Sequence, residues 1–404
     1  MNSAEKRLNR LKKVLFVIST LTGGGAERAV SNITLNLPED VQADILVNSV
    51  SNEDYPYKGR LISMGMPPRL HKSLSYHLHA FALRLVWLRH LKKVGGYDAC
   101  ISFLDSANIA NVLTGNRHCK VLLSVRIRLS MSNGPEYRYI VAPLVRRLYN
   151  RADRVVSLSK GVKNDLVKNF GLNPEKQVTV YNCYNVAGMQ QAGREAPEVA
   201  LSKDGFYFVS TGRHCDQKGQ WHLIRAFAQI ARKYSNARLI LLGQGELTGY
   251  LEDLARQLGV ADRVDFPGFV KNPFAVLSRC QIFIFPSLFE GFGNSAIEAM
   301  ACGLPVIVTD YRSGAREIFA PETDFDLQQQ EHLERAEYGI LIPVFSGQKH
   351  SASVPLEKAE VCLAEAMALL YDDADLRAHY REKSLSRAVH FDHSSIIREW
   401  VDIF

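Results

Sequence analysis

The chain has 404 residues, 47% hydrophobic and 23% charged. That length suits two domains rather than one, and the balance excludes a disordered, collagenous or disulfide-stapled protein. The net charge of +7 divides unevenly, since residues 1–200 hold 28 Lys+Arg against 15 Asp+Glu (+13) and residues 201–404 hold 21 against 27 (−6). The basic half is expected to face an anionic partner, such as a phospholipid surface or a phosphorylated acceptor. Nucleic acid is not expected, because no nucleic-acid-binding motif accompanies the charge. Seven scattered cysteines form no CxxC pair, which predicts reduced thiols and no structural zinc.

The charged start, MNSAEKRLNRLKK, leads into an apolar stretch too short for a signal-peptide core. No run reaches the roughly 18 apolar residues of a membrane helix, so a soluble cytoplasmic protein is expected. LKKVLFVISTLTGGGAERAVSNITLNL then reads as a buried strand, a glycine turn and a helix. Gly23, Gly24 and Gly25 let the backbone approach a ligand, and the helix N-terminus behind them favours an anion. This is not the dinucleotide fingerprint, because Arg28 stands where its third glycine belongs. A plain tight turn is the alternative. Residues 71–93 space Leu74, Leu78, Phe81, Leu85 and Leu88 as one helical stripe, with Arg84, Arg89, Lys92 and Lys93 around it. The segment is either an ordinary packed helix or one that lies on an anionic membrane face; the basic run 138–154 would widen that face. ADILVNSV, DACISF and KVLLSV are further strands. Residues 185–205, rich in Gly, Ala, Pro and charge, read as a linker.

The second half repeats the pattern from Phe206 with FYFVST, ARLILLG, IFIFPS and PVIVT. Short apolar strands without alternation, separated by helices, give two doubly wound parallel α/β domains with ligands beyond the strands' carboxyl ends. Arg213 and Lys218, five apart after the first of these strands, can converge on a pyrophosphate, one as a planar fork and the other as a mobile point charge. Gly243-Gln244-Gly245-Glu246 is a second glycine turn at a strand end. The most informative segment runs from Phe289 to Ile307, FEGFGNSAIEAMACGLPVI. Glu290 stands in a glycine-broken loop, and Asn294 or Ser295 caps a helix carrying Glu298 in its first turn. Carboxylates accept hydrogen bonds from vicinal hydroxyls, so this pair suits sugar and ribose recognition. The alternatives are a helix-dipole partner at Glu298 and a solvated acid at Glu290. Residues 376–404 read as helix with Phe391, Ile396, Ile397, Trp400 and Phe404 as the apolar stripe.

Taken in order, GGGAER, GR with KG, GxGE and EGFGNSAIEAMACGLPVI resemble the retaining glycosyltransferases of family 4 (glycosyl transferases group 1) over nearly the whole chain. The resemblance implies GT-B architecture, α/β, with two Rossmann-like domains facing a central cleft. The acceptor domain would span 1–190 and the nucleotide-sugar domain 191–380, and a tail helix, 381–404, would cross back to the first. It implies that Arg213 and Lys218 hold the donor diphosphate, Glu298 the ribose and Glu290 the donor sugar, with Glu246 also on the donor side. The backbone at Phe292, Gly293, Asn294 and Ser295 would contact sugar and phosphates, Gly24 and Gly25 would lie near the diphosphate, and Phe269 and Val270 would border the base. Catalysis would be metal-independent, with no cofactor beyond the nucleotide sugar. The expected donor is UDP-linked and the acceptor a lipid-linked or polysaccharide glycan of the cell surface, with the enzyme peripheral at the inner membrane face. Many relatives carry a histidine where Arg126 stands; an arginine cannot act as a base and would bind phosphate instead. Asp105 and Asn108 are acceptor-side candidates, with a helix cap as the alternative. Two other readings are a glycosidase using Glu290 and Glu298 and a nucleotide-binding module without catalysis.

Overall fold

The computed structural model describes residues 11–67, 73–132 and 134–404. The first ten residues, and His71 and Lys72 of the predicted helix, lie outside them. The chain divides into two units, Met1–Tyr184 with His393–Phe404, and Asn185–Asp392.

Continuous apolar runs make strands buried on both faces, and parallel pairing follows from that. In the first unit these are β1 (Lys12–Val17), β2 (Val41–Val47), β3 (Arg60–Ser63), β4 (Ala99–Phe103), β5 (Lys120–Val125), β6 (Arg154–Ser157) and β7 (Gln177–Thr179). They form one parallel sheet in the order β3-β2-β1-β4-β5-β6-β7. The second unit repeats the order with β8 (Phe206–Thr211), β9 (Ala237–Leu242), β10 (Val264–Gly268), β11 (Ile282–Phe285), β12 (Val306–Thr309), β13 (Glu334–Ala336) and β14 (Gly339–Ile342), arranged β10-β9-β8-β11-β12-β14-β13. Only β13 among these runs antiparallel, against β14. Strand order reverses between β1 and β4, and again between β8 and β11. Loops leaving the carboxyl ends of those strands border the crevice where such sheets bind ligands.

The last helix, His393–Ile403, packs on the first unit. Its Ile396, Ile397 and Trp400, with Phe404, join Phe16 and Phe103 in one core. Lys12 Nζ donates to Val401 O at 3.1 Å and Lys120 Nζ to Phe404 O at 2.9 Å, so two cations satisfy carbonyls at the helix C-terminus. All seven cysteines are free and buried, and burial pushes the Cys100 thiol up to about 12 and Cys302 to about 11. No helix among the described residues is long and apolar enough to cross a membrane.

Several expectations are corrected. The units divide after Tyr184, and the returning segment starts at His393 rather than 381. The predicted linker contains a helix, Val186–Ala192, capped by Asn185 Oδ1 from Gly188 N at 2.8 Å and fixed through Gln190 Nε2 to Ala301 O at 3.3 Å. Two turns are too few to show a period in sequence. The region read as one C-terminal helix is two, Ala374–Val389 and His393–Ile403. Helix Leu74–Val94 buries Ala80, Arg84, Leu88, Leu91 and Lys92, leaving Leu74 71% and Leu78 62% exposed. The expected apolar stripe is therefore partly on the surface, and two of its expected surface cations are inside. Lys92 Nζ donates to Asn111 O and Gly115 O, both at 2.9 Å, capping the helix Asp105–Leu113.

Trp400 is fully buried and ties the tail to the first sheet. Trp400→Ala is expected to cost about 3–5 kcal/mol in urea unfolding monitored by circular dichroism; a loss below about 1 kcal/mol would show that the tail is not part of that core.

Candidate active site

The second unit assembles its site at the β8/β11 switch. After β8 a turn, Asp216–Lys218, leads into the helix Gln220–Lys233 through Gly219. Gly219 has φ +57, and a Cβ there would lie 2.5 Å from Pro286 O, so the close approach of this turn to the end of β11 requires glycine. Leu288 N donates to Gln217 O at 2.8 Å, and Gln217 Nε2 to Phe289 O at 3.0 Å. These bonds register the two loops so that Lys218 Nζ reaches Glu290 Oε1 at 2.6 Å. Ser287 Oγ donates to the same oxygen at 2.9 Å. Lys218 also stands 5.0 Å over the Phe285 ring. Both side chains remain accessible, at 18% for Lys218 and 12% for Glu290, so incoming hydroxyls or phosphates can reach them. Glu290 accepts from two donors at once, which suits hydroxyl binding better than the proton donation a glycosidase asks of one carboxyl.

The next loop is held by Tyr311, whose hydroxyl donates to Phe292 O at 2.8 Å. Gly293 caps the helix Asn294–Ala301 with φ +108, and a Cβ there would stand 2.3 Å from Tyr311 Oη. The expected side-chain cap by Asn294 or Ser295 is thus replaced by backbone: Gly293 O accepts from Ala296 N at 3.1 Å and Ile297 N at 3.4 Å. Glu298 is the helix's fifth residue, in the second turn rather than the first, and it is buried. The Phe292 side chain is buried against Phe391, with ring centroids 5.4 Å apart. Phe269 is 78% exposed at the end of β10, and Val270 beside it is buried. Arg213 is exposed, and contact with Cys215, then the charge of Glu246, hold its guanidinium above its usual value. The structure therefore joins Lys218 and Glu290 directly, with Arg213 and Glu246 on neighbouring strand-end loops.

In the first unit Gly24 is the N-cap of the helix Gly25–Leu35, and a Cβ there would stand 2.1 Å from Glu27 Oε2. The glycine makes room for the chain's own carboxylate. Asp105 accepts from Tyr149 Oη at 2.9 Å, and burial raises its carboxyl. Asn108 is corrected: it is fully buried, takes a bond from Ser102 Oγ at 2.8 Å and gives one to Ser124 O at 3.1 Å, so it staples helix to sheet instead of facing an acceptor.

Arg126 is buried at the end of β5 over the Phe103 ring at 6.0 Å. It donates to Asn182 Oδ1 and, at 3.4 Å, to Ser124 Oγ, while its Nε has no partner. Burial pulls the guanidinium down to about 10. Arg84, also pulled down to about 10, meets only neutral oxygens among the described residues: Ser106 Oγ at 2.8 Å, Ser19 Oγ at 3.1 Å and Asn48 Oδ1 at 2.8 Å. Buried arginines of the second unit have carboxylates instead: Arg225 meets Glu360 at 2.8 Å, and Arg316 meets Asp310 at 2.6 Å and Glu334 at 2.8 Å. Sequence reasoning missed Ser287, Gln217 and Tyr311, whose roles come from contacts across neighbouring strand-end loops. No group of three or more His, Cys, Asp or Glu among the described residues is placed to hold a metal ion.

Residues 23–187 match the family model described as Glycosyltransferase Family 4, and residues 193–332 that described as Glycosyl transferases group 1. An uncharacterized glycosyltransferase of Methanocaldococcus jannaschii is 35% identical over 318 residues, 75% of this chain and 78% of its own. The N-acetylgalactosamine-N,N'-diacetylbacillosaminyl-diphospho-undecaprenol 4-alpha-N-acetylgalactosaminyltransferase of Campylobacter jejuni is 28% identical over 395 residues, 96% of this chain and 98% of its own. Among solved structures, Anabaena Alr3699/HepE in complex with UDP superposes with a TM-score of 0.72 at 18% identity, covering 97% of this chain and 99% of that one. The likeness gives the chain the GT-B fold.

The contrast between the arginines predicts opposite mutational behaviour. Arg225→Met takes the guanidinium from Glu360, which keeps His222 Nδ1 at 2.7 Å, and leaves the carbonyls of Ser351, Val354 and Pro355 without their donor. It is expected to cost about 3–5 kcal/mol, whereas Arg126→Met removes an uncompensated buried charge and is expected to cost about 1 kcal/mol or less. Thermal unfolding of both variants checks this; equal losses would contradict the reading of Arg126 as carboxylate-free.

Proposed function

The chain belongs to the family 4, group 1 glycosyltransferases, and from that premise we propose that it moves a sugar from a UDP-linked donor, with retention of anomeric configuration, to a lipid-linked glycan in cell-surface glycan synthesis. The observation that carries the donor side is the Lys218–Glu290 contact at the β8/β11 switch. Lys218, with Arg213, takes the diphosphate, and Glu290 takes hydroxyls of the donor sugar. Glu298 takes the ribose hydroxyls, and Phe269 with Val270 borders the base. The N-terminus of the helix Asn294–Ala301 adds a fixed partial positive charge. These groups offset the charge that develops on the departing diphosphate, which is the main electrostatic demand of the step, so we propose no metal or further cofactor. The acceptor oxygen bonds to the anomeric carbon as the carbon–phosphate-oxygen bond breaks, and the departing oxygen takes the acceptor's proton on the same face. Arg126 receives a phosphate of the donor or the acceptor.

For the acceptor, support comes from relatives whose names specify undecaprenol diphosphate glycans, one at 28% identity and one at 21% over nearly the full chain. The first unit also presents apolar side chains among cations: Leu74, Leu78, Tyr139 and Ile140 are exposed, as are Arg89, Arg138 and Arg146. Phe81 of the helix Leu74–Val94 packs in the same cluster as Tyr137 and Val141, so the apolar stretches at 74–78 and 139–140 belong to connected elements. Such a surface suits the face of an anionic bilayer, with the enzyme peripheral on the cytoplasmic side.

Nucleotide release from UDP-, GDP- and ADP-sugars, with and without membrane-lipid extract, tests the reading. Release from a UDP-sugar, raised by the extract and reduced about 10²–10³-fold in Glu290→Gln, is expected; release that ignores both the extract and the substitution would refute it. The anomeric configuration of the product tests retention, and inversion would end that part. Cosedimentation with vesicles should require anionic lipid and weaken with salt; weak binding that is indifferent to salt would remove the membrane partner.

A further inference from the structure

We propose that the second unit carries a separate site for a small phosphorylated ligand at the amino ends of β11 and β12, the far end of those strands from Glu290. A cavity of about 250 Å³ lies there between the segment 278–281, the turn 303–305 and the first turns of the helix Ala374–Val389. Arg279, Arg377 and Arg381 line it, and no Asp or Glu does.

The protein does not neutralise these three cations. None of them makes an ion pair among the described residues. Other arginines of the same unit do: Arg225 meets Glu360 at 2.8 Å, Arg238 meets Asp265 at 3.2 Å and Arg316 meets Asp310 at 2.6 Å. Residues 201–404 also carry more acids than bases, 27 against 21, so an acid-free cluster of arginines stands against the local composition.

Like charges on a surface lower their repulsion by splaying into solvent. Two of these are tied down instead. Arg279 Nη1 donates to Ala275 O at 2.6 Å and to Gly193 O at 3.2 Å. Arg377 Nη1 donates to Leu370 O at 2.6 Å and Tyr371 O at 2.7 Å, and its guanidinium stands 5.3 Å over the Phe206 ring. Each anchor uses one terminal nitrogen and leaves the remaining N–H groups of the fork to a ligand. Arg381, one helical turn after Arg377, makes no hydrogen bond among the described residues.

The chemistry of the lining selects the ligand. Guanidinium forks pair with phosphate oxygens, and several forks around one cavity suit a group with more charge and more acceptor oxygens than a carboxylate. The cavity is smaller than the about 300–1,000 Å³ of sites for drug-sized ligands, which favours a compact anion over a whole nucleotide sugar.

The test is calorimetric titration of inorganic phosphate, and separately of pyrophosphate, into the full chain at constant ionic strength. Arg381→Gln removes a side chain that bonds to nothing else, so the Tm of the protein without added phosphate is expected to stay unchanged. The same variant should weaken phosphate or pyrophosphate about 10–100-fold, and Arg381→Glu should abolish binding. Lys218→Met and Arg126→Met should keep that affinity within twofold, and Arg381→Gln should keep UDP affinity within twofold. Absence of binding by either probe at about 10 mM, or equal affinity in wild type and Arg381→Glu, would overturn the proposal. So would a loss in Lys218→Met or Arg126→Met that matches the loss in Arg381→Gln, or a parallel loss of UDP affinity in Arg381→Gln.

Discussion

Lys218 and Glu290 stand 72 residues apart in sequence and 2.6 Å apart in space. Their contact depends on β8 and β11 being neighbours in the sheet, on the left-handed glycine that lets the Asp216–Lys218 turn approach Pro286, and on Gln217 bonding the opposite loop. A partly buried ion pair contributes little net stability, because desolvation of the two charges offsets most of their attraction. Its use here is positional. Each charge holds the other at a strand's carboxyl end.

The two units treat buried cations differently. The second surrounds Arg225 and Arg316 with carboxylates and carbonyls, and so fixes the segments around residues 351–360 and 310–334 without net buried charge. The first keeps Arg84 and Arg126 among hydroxyls and amides. A buried guanidinium without an anion is costly, and among the described residues the first unit has two, both near the carboxyl ends of its strands.

Much of the fold was legible because its signal is local. VLFV, FIF and VIV are continuous apolar runs, the pattern of strands covered on both faces. In the stretch from Phe289 to Ile307 the strand-to-helix turn and the helix were legible because glycines and a proline punctuate them, whereas the backbone cap at Gly293 and the second-turn place of Glu298 were not. What could not be read was set by distant partners. Arg84 looks like a surface cation until Ser19, Asn48 and Ser106 converge on it, and its burial turns the helix 74–94 so that Leu74 and Leu78 face outward. Asn108 stands in a strand-to-helix loop that suggests a site, but Ser102 and Ser124 draw it into the core.

The most direct measurement of the central claim is calorimetric titration of UDP into the wild type, Lys218→Met, Glu290→Gln and the double variant. If Lys218 leaves Glu290 to take a phosphate, Lys218→Met weakens UDP about 10–100-fold, as loss of a charged hydrogen bond does. Glu290→Gln, which frees the lysine, then binds UDP at least as tightly as the wild type. Equal UDP affinity in wild type and Lys218→Met would contradict the account, as would matching losses in the two single variants.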